Sequence, residues 1–106
     1  VRVDWDRIME EAEKVANQLI RRDVDLDEAQ KLLDFYVQNR FNEDLTRRYL
    51  EMMADNPPPR SKKSPGYFRG LRDIWKLWRP EISPRQKAMA WGWGVRLAKV
   101  RAREGR

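Results

Sequence analysis

Apolar residues recur along most of this chain at three- and four-residue spacing, which places them on one face of an α-helix, and no stretch alternates as a strand does. From Asp4 to about Arg22 the stripe is Trp5, Ile8, Met9, Ala12, Val15, Ala16, Leu19 and Ile20, with Glu10, Glu11 and Glu13 on the outer face. Asp4 is the expected N-cap, and Arg21 and Arg22 complement the negative end of the helix dipole. Asp25 and Glu28 have capping-box spacing and open a second helix with Leu26, Ala29, Leu32, Leu33, Tyr36 and Val37 as its stripe. Asn42 caps a third, in which Leu45, Tyr49, Met52 and Met53 are expected to face inward. Asn56-Pro57 ends it, because the residue before proline is pushed out of the helical region.

Residues 54–66, ADNPPPRSKKSPG, form the one clearly irregular segment. Its three prolines favour a stiff, extended backbone, and Arg60, Lys62 and Lys63 load it with positive charge. Ser64-Pro65 and Ser83-Pro84 both read as an N-cap followed by a first-turn proline. They open a fourth helix over about 65–79 and a fifth over about 84–103. Gly92 and Gly94 interrupt the fifth pattern, by permitting close packing, by kinking the helix, or by forming a short hairpin. The expected fold is therefore all-α. It is a compact bundle of about five helices with a Pro-rich basic loop between helices three and four, in one domain over 1–106.

Composition narrows the chemistry. Cysteine and histidine are absent, which removes disulfides, zinc-thiolate sites, thiol nucleophiles and the commonest general base. No phosphate-cradling glycine loop or nucleophile–base pair is present, so the expectation is a protein that is not an enzyme and needs no cofactor or metal. Asp23, Asp25 and Asp27 alternate but lack the glycine and glutamate of a calcium loop, and are read as capping and solvating acids. High Lys, Arg and Glu without Cys is the drift of heat-adapted proteins. No apolar run reaches the roughly 20 residues that span a bilayer, and a cytoplasmic location is expected. The start at Val1 and the charged end at Arg106 read as a piece of a longer protein.

The charge distribution changes the picture most. Residues 1–56 carry 9 Lys+Arg against 14 Asp+Glu, a net −5, whereas residues 57–106 carry 14 against 3, a net +11. This asymmetry points to a polyanion-binding half, residues 54–106, beside an acidic helical support, residues 1–53. Within the basic half, Phe68, Leu71, Trp75 and Trp78 follow one helical stripe, and Arg69, Arg72, Lys76 and Arg79 follow another one residue later. Rings beside cations suit a single strand, whose bases stack on aromatic faces while its phosphates are neutralised. In the fifth helix Ala88, Trp91, Val95 and Ala98 fall on one side and Met89, Trp93, Leu97 and Val100 nearly opposite, with Arg85, Arg96, Lys99 and Arg103 between. One small core cannot bury both sides. The competing reading for each tryptophan is an ordinary core residue; periodicity leaves Trp75, Trp78, Trp91 and Trp93 unsorted, with Trp75 or Trp93 expected to stack on a base. Asp73, the lone acid of the fourth helix, is expected to pair with Arg69 or Lys76.

The run NPPPRSKKSPGYFRGLRDIWKLWRPEISPRQKAMAWGWGVRLAKV, residues 56–100, with RFNEDL at 40–45, resembles the ThermoDBP family of archaeal single-stranded DNA-binding proteins. The resemblance implies an extended cleft with an apolar floor and basic flanks that binds DNA with little sequence preference. It implies DNA-contacting roles for Arg60, Lys62, Lys63, Tyr67, Phe68, Arg69, Arg72, Trp75, Lys76 and Arg79, to which the helical pattern adds Trp93 and Arg96. The family's oligomerising C-terminal extension is not visible here, which leaves a homo-oligomer of the full-length protein open. Two rivals stand beside this expectation: an RNA-binding helical small subunit of a ribonucleoprotein complex, and a protein-interaction module with exposed tryptophans.

Overall fold

Four side-chain caps set the helix starts. In the computed structural model, which describes residues 3–56 and 65–104 (residues 65–67 by backbone alone), Asp4, Asp25 and Asn42 accept hydrogen bonds from the amides of Arg7, Glu28 and Leu45. Ser83 Oγ likewise accepts from the Gln86 amide. Each cap satisfies an amide that has no partner inside its helix. The helices are α1 (Trp5–Arg21), α2 (Leu26–Gln38), α3 (Glu43–Asp55), α4 (Pro65–Leu77) and α5 (Pro84–Glu104). Among the described residues there is no strand, so the all-α fold stands, and none of these helices is long and apolar enough to cross a membrane.

α5 runs unbroken through Gly92 and Gly94, so the hairpin alternative is excluded. Gly94 is needed for proximity: a Cβ built there would lie 2.7 Å from Val15 Cγ1 and 3.0 Å from the Ala12 carbonyl oxygen. With Ala12, Ala16, Ala90 and Ala98 also fully buried, small side chains let α1 and α5 approach closely along the most extensive helix pair of the molecule. The next most extensive pair is α3 with α4, so the acidic and basic parts of the sequence are interleaved in one core.

That core is rich in rings. Trp75 packs edge-on against Tyr36 at 4.9 Å and Trp91 at 5.1 Å between centroids, and Trp78 lies 5.7 Å from Trp91. Trp91 is fully buried and donates its indole N–H to the Ala29 carbonyl at 2.9 Å. Burying such rings with their polar atoms partnered contributes strongly to stability.

Several predicted inward positions lie elsewhere. In α3 the buried stripe is Thr46, Leu50 and Ala54, while Leu45 and Met52 face solvent. Thr46 is admitted because its hydroxyl donates back to the Asn42 carbonyl, leaving no unpaired polar atom. Trp5, Ile20 and Val37 are also exposed at or near helix ends. Asp73 pairs with Arg22, the C-cap of α1, and with neighbouring Arg72, both at 3.3 Å, not with Arg69 or Lys76.

Candidate nucleic-acid interface

Between α2 and α3 the backbone is left-handed at Arg40 and Phe41, with φ of 57° and 60°. This conformation is strained for a bulky residue, at a cost of about 1–3 kcal/mol. Here it is held by the Phe41 amide, which donates to the Tyr36 carbonyl at 2.9 Å. The turn carries the Phe41 ring against Tyr36 and into the wall of a groove between α2 and α5. Leu33, Val37, Phe41, Met89, Gly92 and Trp93 line this groove of about 370 Å³, and Arg85, Arg96 and Gln30 add polar walls. Trp93 is 38% exposed, and the Arg96 guanidinium sits over its ring, 5.1 Å from the centroid. Of the second apolar side of α5, Met89 and Trp93 form a wall of this groove, while Leu97 packs against the core and Val100 is exposed.

A deeper pocket of about 460 Å³ opens between α3, the end of α4 and the start of α5. Trp78, Pro80, Ile82 and Pro84 supply apolar surface, and Arg47, Lys76, Arg79 and Lys87 supply positive charge. Lys76 and Arg79 have no acidic partner among the described residues, and the same holds for Arg69, Arg85 and Arg96. Pro84 lines the pocket and Arg85 the groove, so the first turn of α5 borders both depressions.

One acid penetrates this basic surface. Glu43, the first residue of α3, accepts on Oε1 from Tyr36 Oη at 2.9 Å and Lys87 Nζ at 2.7 Å, and on Oε2 from Trp75 Nε1 at 3.2 Å. The Lys87 ammonium stands over the Trp75 ring at 4.2 Å, with Trp78 at 5.5 Å and Tyr36 at 5.8 Å. Burial pulls Lys87 below the ordinary lysine range, and the Glu43 carboxylate opposes that shift. Burial and Glu43 together push the Tyr36 phenol well above its ordinary value. A second acid, Glu11 of α1, is buried and accepts from Trp78 Nε1 at 3.2 Å.

The expected site residues divide accordingly. Lys76 and Arg79 come together at the pocket, and Trp93 and Arg96 at the groove. Arg69 is exposed on α4, and Arg72 is engaged by Asp73. Trp75 and Phe68 are 3% and 2% exposed, so neither offers a face to a base. Their stripe is the one by which α4 enters the core, and Trp75 is further tied down by its bond to Glu43. Of the two tryptophans expected to stack, only Trp93 is placed for it. Arg60, Lys62 and Lys63 lie outside the described residues, as does the Tyr67 side chain. Arg47, Arg85, Lys87 and Phe41 were not singled out by the sequence pattern as binding residues, because α3, α5 and the α2–α3 turn bring them in from separate stretches. The resemblance did include RFNEDL, which contains Phe41 and Glu43. No family model, curated protein or solved structure matches the chain.

Proposed function

We propose that this protein binds single-stranded DNA with little sequence preference, stacking a base at Trp93 and neutralising phosphates with the cations around the two depressions. The observation that carries the reading is the exposed Trp93 ring in an apolar groove, flanked by Arg85 and Arg96, which lack acidic partners among the described residues. An indole face accepts any base, so the contact is tolerant of sequence, and a guanidinium beside it lies within reach of the adjoining phosphate. A duplex hides its base faces and gains little from such a ring. The resemblance to archaeal single-stranded DNA-binding proteins points the same way.

Fluorescence titration with matched single-stranded DNA, single-stranded RNA and duplex tests the proposal. Single-stranded DNA should bind at least about tenfold tighter than duplex of equal length, given stacking of roughly 1–3 kcal/mol per base. Equal affinities would reduce the surface to a generic basic patch, and preference for RNA would favour the ribonucleoprotein rival. Trp93→Ala should weaken single-strand binding by about 1–3 kcal/mol while unfolding almost as the parent does.

Salt dependence reads the other half of the proposal. Lys76, Arg79, Arg85 and Arg96, with the loop cations, would neutralise roughly four to six phosphates. A plot of log K against log salt should then slope at about −3 to −4, from ~0.7 per phosphate. Arg79→Ala should flatten it by somewhat under one unit. A slope near zero would favour a protein partner instead.

A further inference from the structure

Among the described residues, Glu43 is the one acceptor for three side-chain donors that come from three different helices: Tyr36 of α2, Trp75 of α4 and Lys87 of α5. The burial of the four groups is unequal. Tyr36 and Trp75 are 0% and 3% exposed, and the Lys87 side chain is 12% exposed, whereas the Glu43 side chain is 45% exposed. The donors are therefore fixed by packing, and the acceptor is the part free to turn toward water. Around them Lys76 and Arg79, which have no acidic partner among the described residues, line the same pocket with Arg47, which pairs with Asp44, so without Glu43 the site keeps a net positive charge. An ammonium enclosed as Lys87 is keeps its charge best with an anion beside it.

We propose that Tyr36, Trp75 and Lys87 form a three-donor anion socket in which the Glu43 carboxylate holds the place of a phosphate group. Resting on the single-strand reading, a phosphodiester of the bound strand enters this socket and Glu43 swings out to solvent. The two non-bridging oxygens of a phosphodiester can accept the same three hydrogen bonds that the two Glu43 oxygens receive, so none of the buried donors is left unpaired by the exchange. The flanking cations favour the strand over the resident carboxylate, because the phosphate arrives with further phosphates attached while Glu43 arrives alone. Glu43 is in this way an internal competitor that sets the affinity of the surface and disfavours weakly held anions.

The test is Glu43→Ala, with inorganic phosphate as the first probe and a single-stranded oligonucleotide as the second. In thermal unfolding at matched ionic strength, replacing chloride by phosphate should raise the midpoint of Glu43→Ala by several degrees more than that of the parent. The variant should also bind the oligonucleotide roughly tenfold tighter, the equivalent of one charge-assisted contact. Its salt slope should be steeper by about 0.7. If Glu43→Ala does not fold, Glu43→Gln retains an oxygen for the buried donors and should show the same tightening. No phosphate-specific stabilisation together with no tightening overturns the proposal. Phosphate stabilisation without tightening also overturns the competitor role. Trp93→Ala separates the two readings, because it should weaken oligonucleotide binding and leave the phosphate effect of Glu43→Ala unchanged in the double variant. Absence of oligonucleotide binding by every form, with the phosphate effect present, defeats the single-strand reading and the competitor role but not the socket.

Discussion

Replacing Trp91 by alanine is expected to cost about 3–5 kcal/mol of folding stability, the largest loss of any single tryptophan. The indole is fully buried between Trp75, Trp78 and the α2 backbone, so its removal leaves a cavity that the packed helices cannot easily close. It also strips the Ala29 carbonyl of the N–H donated by the indole. Denaturant unfolding gives the loss directly, and the midpoint should fall with little change in slope. Trp93→Ala, only two residues away, is the internal control. Its ring is part-exposed in a groove, and its unfolding should shift by well under half of the Trp91 value. Equal losses at the two positions would mean that the groove side of α5 is as tightly packed as the core side, and the groove would then be no binding surface.

The second large effect is expected at Gly94. Valine there should destabilise the protein by about 3 kcal/mol, because its Cβ already lies within 3.0 Å of Val15 and the Ala12 carbonyl, and one of these is backbone. The gain in helix propensity over glycine, below about 1 kcal/mol, does not offset that overlap. Gly92→Ala should behave oppositely. A methyl group there meets only the far end of Leu33, at 3.2 Å, which a small rotation relieves. The propensity gain then dominates, and a stabilisation of up to about 1 kcal/mol is expected. Thermal unfolding of both variants checks the pair. A tolerated valine at 94 would show that α1 and α5 can separate without loss.

The contrast between these two glycines marks how far the residues disclose the fold. The helix starts were legible because each cap is local: Asp4, Asp25, Asn42 and Ser83 bond within three residues of themselves. The two-sidedness of α5 was legible for the same reason. Which side is core was not, since that depends on α1 arriving at Gly94 and α2 at Gly92. Trp75 illustrates the difficulty at the candidate site. Its neighbours in sequence, Arg72, Lys76 and Arg79, are what a stacking ring would have, yet its neighbours in space are Tyr36, Trp91 and the Glu43 carboxylate. Glu43 was hidden for a related reason. An acid in the first turn of a helix is sufficiently explained by the helix dipole, and nothing within α3 reveals the three donors that converge on it. Leu45 and Met52 misled because apolar side chains are common on small helical surfaces, whereas Thr46 entered the core on the strength of one backbone hydrogen bond.

The pairing of α1 with α5 has a consequence for how the molecule is made. The most extensive packing in the fold joins α1 to α5, and Arg101 reinforces it by bonding to Glu13 and Asn17. As the chain emerges from the ribosome, α4 covers only a small part of α1, and most of its apolar face waits for α5, which begins at Pro84. Any nascent piece that stops short of Pro84 lacks Trp91, Val95 and Ala98, and with them the surface on which α1 and α2 close. Lengthening the segment between α3 and α4 adds only about 0.6 kcal/mol of closure entropy per doubling, so the final docking depends on completion of α5 far more than on the length of the connection before it.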